Sequence, residues 1–478
     1  MKHQEIGTQK MIKDPWVALF DDPGMGKSKQ VIDAAIRLYK RGSIDSVVIV
    51  CPAQVKFNWL DPELGELRRW AGDNIYVDEI GGKTRWYKGD RALTYFVTSY
   101  EYLRLNTVAC LEELKSSAKR YWLVMDESSY LKNRTTKQWK ACYSLRTGRV
   151  KGRGKWRSSY RPAVRSCILN GTPTGNSLID LWAQFQLLSA DILGMTYWNF
   201  MNRYAIKGGW MGKQIVGYRD KQKLTRLLKP YVLSRRISEA IDLPAKSCSV
   251  REVNLSPSTW KMYQQMRDEL LIELDQQEYT AVNAAVKMMR LSQLTSGFVS
   301  SMEDGVVRTA HVGTEKNDWL IEHLSWASPD ESVIVWCWFR HQIEELYERL
   351  SKLEGWNVSM LYGGSKDKSE VVGSFHPENT SRDRRQLLVA QPAAGGMGLN
   401  LAAANVNIYL SSDYSFLKRD QSECRIYRPG QTKPVRITDL LAVGPKGQRT
   451  IDHVIYKARQ TKDELSKWLK SRWRKELT

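Results

Sequence analysis

A chain of 478 residues with 42% hydrophobic content has material for two cores rather than one. No run of 18 apolar residues occurs, which argues against a membrane span, and seven scattered cysteines without a CxxC pair read as reduced thiols rather than disulfides or zinc ligands. Seventy-three Lys and Arg against 52 Asp and Glu give a net charge of +21, an excess that favours a polyanionic partner such as nucleic acid.

Strand-like runs alternate with helical stretches in both halves, the pattern of parallel α/β sheets. In the first half "WVALFD" (16–21), "SVVIVCP" (46–52), "TYFVTSY" (94–100), "YWLVMDE" (121–127) and "SCILNGTP" (166–173) read as strands. In the second, "ESVIVWCWF" (331–339), "VSMLYGG" (358–364), "RQLLVAQP" (385–392), "VNIYLSSD" (406–413) and "VRITDLLAV" (435–443) do the same. The predicted fold is therefore α/β, with lobes over 1–240 and 241–478. A helical segment about 255–300 and a closing C-terminal helix belong to the second. The N-terminal stretch "MKHQEIGTQKMIKDP" lacks the apolar core of a signal peptide.

The segment "LFDDPGMGKSKQVIDAA" (19–35) joins a strand to a helix through a glycine-rich turn. Gly24 and Gly26 leave room for backbone N–H groups to close on phosphate oxygens, and the following helix turns its positive end to the same anion. In such a loop, Asp22, Pro23 and Met25 complete the cradle. Lys27 reaches the β and γ phosphates, and the Ser28 hydroxyl ligates Mg²⁺. Asp21 stands where a phosphate loop usually opens with Gly or Ala. At the end of the strand in "WLVMDESS", Asp126 would hold the Mg²⁺ through water and Glu127 would orient and deprotonate an attacking water. An N-cap carboxylate beside a charged neighbour would account for a lone "DE", but its pairing with the upstream glycine-rich loop favours the catalytic reading. Late in the chain, "QSECRIYRPGQTKPVRI" (421–437) spaces Arg425 and Arg428 to share a helix face, suited to neutralising a transferring phosphate.

Taken in order, these segments resemble the Swi/Snf-type ATPases of helicase superfamily two, two-lobed RecA-like translocases on double-stranded DNA. "HQEIG" (3–7) is similar to the opening motif, which makes Gln4 an adenine reader. "DDPGMGKS" resembles motif I, whose acidic pair accounts for Asp21. "IVCPAQVKFNW" (49–59) resembles motif Ia and places Trp59 at DNA. "VTSYEYL" (97–103), with Thr98 and Ser99, is similar to the next DNA-facing motif. "DESSYLKN" (126–133) resembles motif II, and "LNGTPTGNSLIDLWAQFQLL" (169–188), with Thr172 and Asn176, motif III. "RRISEAIDLPAK" (235–246) is similar to the arginine-rich stretch entering the second lobe. "AAGGMGLNLAAANVNIYL" (393–410) resembles motif V, assigning Gly395 to DNA and Gly398 to the nucleotide. "QSECRIYRPGQTKPV" resembles motif VI, and "QRTIDHVIYKARQTKDEL" (448–465) the closing helix. Three positions depart from the pattern: Ser129 for a common His in motif II, Tyr427 for a His in motif VI, and Ala393 for a frequent Arg in motif V. Ser129 is expected to hydrogen-bond across to motif III. The "DESS…KN" form looks closest to a compact branch with annealing helicases and phage relatives.

Between motifs II and III, "RTGRVKGRGKWRSSYRPAVR" (146–165) carries eight cations and no acid, and its glycines suggest a loop. Arg149, Lys151, Arg153 and Lys155 are candidate phosphate contacts there. The resemblance implies an ATP- and Mg²⁺-dependent translocase or remodeller acting as a monomer on double-stranded or branched DNA. The expected compartment is cytoplasmic, nucleoid-associated in a bacterial or virus-infected cell, or nuclear in a eukaryote. The alternatives are a strand-separating or fork-annealing helicase, an RNA helicase, and a DNA-binding scaffold with an inactive phosphate loop.

Overall fold

The computed structural model describes residues 1–478 without 64, 73, 89–92, 152–154, 175–176, 209–213, 276–280, 304–305, 364, 366–370, 372–374, 376–384, 396–399 and 475–478. Of the candidate residues, Arg153, Asn176 and Gly398 lie outside the described residues. The chain divides into two compact units, Met1–Asp242 with Lys462–Thr478, and Leu243–Thr461.

The strands of the first unit are β1 (Trp16–Leu19), β2 (Ser46–Cys51), β3 (Ile75–Glu79), β4 (Arg85–Lys88), β5 (Leu93–Ser99), β6 (Tyr121–Met125), β7 (Arg149–Lys151), β8 (Trp156–Ser158), β9 (Arg165–Leu169), β10 (Ala205–Gly208), β11 (Gln214–Tyr218) and β12 (Val232–Leu233). Eight form one sheet in the order β12-β1-β9-β6-β2-β5-β3-β4, parallel throughout except for the β3–β4 pair. Alternate residues feed two cores: Val17, Leu19, Val47 and Ile49 enter one, Ala18, Phe20, Val48 and Val50 the other. Burial on both faces is why these strands read as largely apolar runs, and why all five are legible in the sequence. The edge strands β12 and β4, and β3 beside β4, give no such signal.

In the second unit β13 (Lys246–Asn254), β14 (Phe298–Glu303), β15 (Val306–His311), β16 (Val333–Trp336), β17 (Trp356–Leu361), β18 (Arg385–Ala390), β19 (Val406–Tyr409) and β20 (Val435–Val443) follow. Six of them build a parallel sheet in the order β13-β20-β19-β16-β18-β17. The helical segment resolves into Pro257–Asp275 and Ala281–Leu294, followed by the β14–β15 hairpin. Helix Ile451–Arg474 closes the chain. The α/β architecture with flanking helices is as expected. All seven cysteines are free. Among the described residues no helix is long and apolar enough to cross a membrane.

Candidate nucleotide site

The loop after β1 turns sharply into helix Lys27–Lys40. Gly24 at φ 83° and Gly26 at φ 70° occupy the left-handed region that only glycine enters freely. A Cβ on Gly26 would lie 2.3 Å from the Gln4 side-chain nitrogen, so Gln4 rests directly on the loop. Lys27 Nζ donates to the carbonyls of Asp21 at 2.9 Å and Asp22 at 3.2 Å, curled back over the loop it would serve.

Asp21 is fully buried and is paired side-on by Arg235 through Nε and Nη2, the Nε contact being 3.0 Å. Gln30, from the following helix, donates to the same carboxylate at 3.2 Å and accepts from Arg235 at 2.8 Å. Arg235 also donates to the carbonyl of His3. One knot therefore ties the N-terminal helix, the loop and the strand exit after β12. Sequence reading placed the arginine-rich stretch at the entrance to the second lobe; the structure puts Arg235 under the phosphate loop of the first. Asp21 itself was the available clue, because a carboxylate with no access to water needs a cation.

On β6 the chain delivers Asp126 and Glu127 to the same sheet end. Burial, the largest influence, pushes the Asp126 carboxyl up, while the Trp59 indole, the charge on Lys27 and the Glu127 N–H hold it partly down. Trp59 Nε1 donates to Asp126 Oδ2 at 3.0 Å, and Tyr100 donates to its carbonyl at 2.7 Å. Glu127 adopts φ 50°, a conformation that costs a residue with a Cβ about 1–2 kcal/mol and that gathers at working sites. A hard oxygen set of one half-buried carboxylate and the Ser28 hydroxyl suits Mg²⁺, and a divalent cation would offset the burial of Asp126.

The carboxylate strand is coupled to motif III by neutral hydrogen bonds. Ser128 donates to Gln184 at 2.7 Å, and Gln184 donates to the Pro173 carbonyl at 2.7 Å. The expected partner, Ser129, is a correction: its hydroxyl is buried and has no hydrogen-bond partner among the described residues. Gln184, unnoticed in the sequence, does that work. Gly171 packs so closely that a Cβ would lie 2.8 Å from the Pro23 ring.

The SNF2-related domain matches residues 16–301, more than half of the chain. The chain belongs to the SNF2-related family. The helicase conserved C-terminal domain matches residues 315–430. Over 463 residues the chain is 25% identical to an uncharacterized ATP-dependent helicase of Mycoplasma pneumoniae, covering 94% of this chain and 39% of that protein. It is 24% identical over 497 residues to the human DNA repair and recombination protein RAD54-like, covering 93% and 62%. Bacterial and phage proteins are both among the matches. The chain spans about two fifths of the first curated relatives it matches. Against the Sulfolobus solfataricus SWI2/SNF2 ATPase core in complex with dsDNA it shows 23% identity and a TM-score of 0.41, covering 100% of this chain and 94% of that one.

Several residues of this SNF2-related chain sit elsewhere than expected. Trp59, taken as a DNA contact, is 1% exposed and spends its indole N–H on Asp126, so it has no face left for a base. Thr98, Ser99 and Thr172 are also buried. Thr98 donates to the Ile80 carbonyl at 3.3 Å and Ser99 caps helix Tyr100–Leu105, so these side chains serve the fold rather than DNA. Thr172 has its amide on Asn170 at 2.9 Å. The basic stretch is not a plain loop: β7 and β8 pair antiparallel, with Arg149, Lys151 and Lys155 exposed.

In the second unit Arg425 and Arg428 do not share a helix face. Helix Phe416–Glu423 stops before them, and both lie in the turns that follow. Gly395 is the last residue of the short helix Pro392–Gly395. Beneath this region Arg419 grips Asp439 at 2.7 and 2.8 Å and Glu423 at 2.6 Å, and stacks 3.3 Å from the Tyr409 ring centroid. Lys246 joins Glu423 at 2.5 Å, and Arg459 joins Asp439 at 3.1 Å.

Proposed function

We propose that the protein hydrolyses ATP and uses the cycle to move along double-stranded DNA. The observation that carries this reading is the meeting of Lys27, Asp126 and the strained Glu127 at one end of the first sheet. Lys27 exchanges its two loop carbonyls for phosphate oxygens, which costs little because it gives up neutral acceptors for charged ones. Gln4 holds the adenine edge against the loop, while the backbone from Asp22 to Ser28 cradles the phosphates. Ser28 and, through water, Asp126 would hold an Mg²⁺ ion, which would neutralise charge on the β and γ phosphates. Glu127 takes a proton from the attacking water. Arg425 and Arg428 stabilise the charge of the transferring phosphoryl group, and Gly398 contributes to the nucleotide contacts.

Nucleic acid is supported by the net charge of +21, the exposed cations of the β7–β8 hairpin and the DNA-repair name of the human relative. Arg149, Lys151, Arg153 and Lys155 are assigned to phosphates, with Asn176 and Gly395 as further contacts. The protein works as a monomer in the cytoplasm or nucleoid, or in a nucleus. Turnover of the full chain, measured without nucleic acid and with duplex, single-stranded, forked DNA and RNA, tests the proposal. Duplex DNA is expected to stimulate most, and displacement of a triplex strand without unwinding of a tailed duplex separates translocation from strand separation. Glu127→Gln is expected to bind ATP and lower turnover by 100-fold or more, within the range of about 10²–10⁴ attributed to a positioned base. Normal turnover in that variant would remove Glu127 as the base, and stimulation by RNA alone would remove the DNA assignment.

A further inference from the structure

A second cluster of ligating side chains lies in the second unit, apart from any residue assigned above. His311 ends β15, while His341 and Glu345 sit one turn apart on helix Arg340–Leu350. One ligand atom from each, all three lying within 4.8 Å of one another, makes a two-imidazole, one-carboxylate set. His311 Nδ1 is already 3.6 Å from Glu345 Oε2. That is close to the spacing of about 3.4 Å between ligands of a tetrahedral ion with bonds of about 2.0–2.1 Å.

Two further observations distinguish the cluster from a surface ion pair. His341 Nε2 is buried and has no hydrogen-bond partner among the described residues, a cost of desolvation that none of them offsets. A proton shared by His311 and Glu345 would satisfy that pair and still leave His341 unserved. The carboxylate is also held from behind, since Asn317 Nδ2 donates to Glu345 Oε1 at 3.2 Å and leaves the other oxygen for the cluster. Such outer support is what orients metal-ligating carboxylates. The Phe298 ring, 5.2 Å from His341, walls the site on one side, and the two imidazoles lie 5.3 Å apart.

We propose that His311, His341 and Glu345 bind a transition-metal ion of the zinc class, pinning the β14–β15 hairpin to helix Arg340–Leu350. Two imidazoles select against Mg²⁺ and Ca²⁺, which prefer all-oxygen shells. His311 is exposed, so water completes the coordination.

The test uses the full chain stripped with a chelator and titrated with Co²⁺ in the absence of nucleotide. One equivalent is expected to bind with micromolar or tighter affinity and give the visible d–d absorption of a low-coordinate site, displaced by Zn²⁺. His311→Ala and Glu345→Gln should each weaken binding at least tenfold, and His341→Ala should abolish the band. Asp126→Asn should keep it, which separates this site from the nucleotide carboxylate. Zinc should also raise the melting temperature of the parent chain and leave that of His311→Ala unchanged. Since His311 is exposed, that variant folds even where the His341 change does not. No visible band, or a band indifferent to His311→Ala and Glu345→Gln, would overturn the assignment.

Discussion

Each unit keeps a guanidinium–carboxylate knot at its signature region, and the two are built on different plans. In the first, a single buried carboxylate, Asp21, faces a single cation, Arg235, and its only other side-chain partner among the described residues is the neutral Gln30. In the second, Glu423 and Asp439 are shared among Arg419, Lys246 and Arg459. A one-to-one pair is intolerant, because losing either member strands the other in a dry interior. A shared cluster is redundant, because each carboxylate keeps a cation when Arg419 is removed. The phosphate loop is thus held by the brittle arrangement, and the segment leading to Arg425 and Arg428 by the forgiving one.

The largest effect should come from breaking the brittle knot. Arg235→Met leaves Asp21 buried without a cation, its charge met only by the neutral Gln30, and should destabilise the first unit by about 3–5 kcal/mol, with loss of ATP binding. Arg419→Met should cost visibly less. Restoring neutrality in the double variant Asp21→Asn with Arg235→Met should recover part of that stability. Urea unfolding followed together with binding of a fluorescent nucleotide measures all three. Equal destabilisation by Arg235→Met and Arg419→Met would refute the contrast.

The second knot should be visible in the pH dependence of stability. Burial works against the charge on Glu423, yet Arg419 and Lys246 together hold its carboxyl down to about 2, from an ordinary value of 4.5. A depressed carboxyl contributes its stability in full above its unfolded value and loses it as the pH falls through the folded one. The window is therefore between about pH 4.5 and 2, and the contribution is on the order of 3 kcal/mol. Urea midpoints at pH 5, 4 and 3 should fall more steeply in the parent than in Glu423→Gln. Parallel slopes would show that the knot does not hold this carboxylate in its charged form.

Neutral coupling in the first unit sharpens the same contrast. Ser128→Ala leaves Gln184 Oε1 without its donor and should cost about 1–3 kcal/mol by the same urea assay, with no dependence on pH between about 5 and 8. The pattern of what the sequence disclosed follows from this chemistry. Glycines with positive φ, the Lys27–Ser28 pair and the carboxylates ending an apolar strand carry local signatures, so the loop and both α/β sheets were legible. Trp59 was misplaced because an indole beside a motif has no sequence mark telling surface from interior. Arg235 and Gln184 were invisible as partners because their contacts span 214 and 56 residues. The strand β13 was missed because its edge position permits the polar alternation of "KSCSVREVN". Arg425 and Arg428 were put on a helix by spacing alone, and the helix ends at Glu423.

The smallest effect on folding should come from exposed charge, where the knots have no counterpart. Arg149 and Lys151 stand on the β7 strand of an exposed hairpin, so replacing both with Gln should leave stability within about 0.5 kcal/mol. Under the proposed DNA reading, the same change should act on binding alone. If both side chains touch phosphates, the slope of log affinity against log salt for duplex DNA should become shallower by about 2, roughly 0.9 for each phosphate no longer neutralised. Basal ATP turnover should be unchanged, while the DNA concentration needed for half-stimulation should rise. An unchanged salt slope would place the DNA path elsewhere on the first unit. A fall in stability without a change in slope would make the hairpin a packing element, and charge outside the knots would then belong to the fold as well.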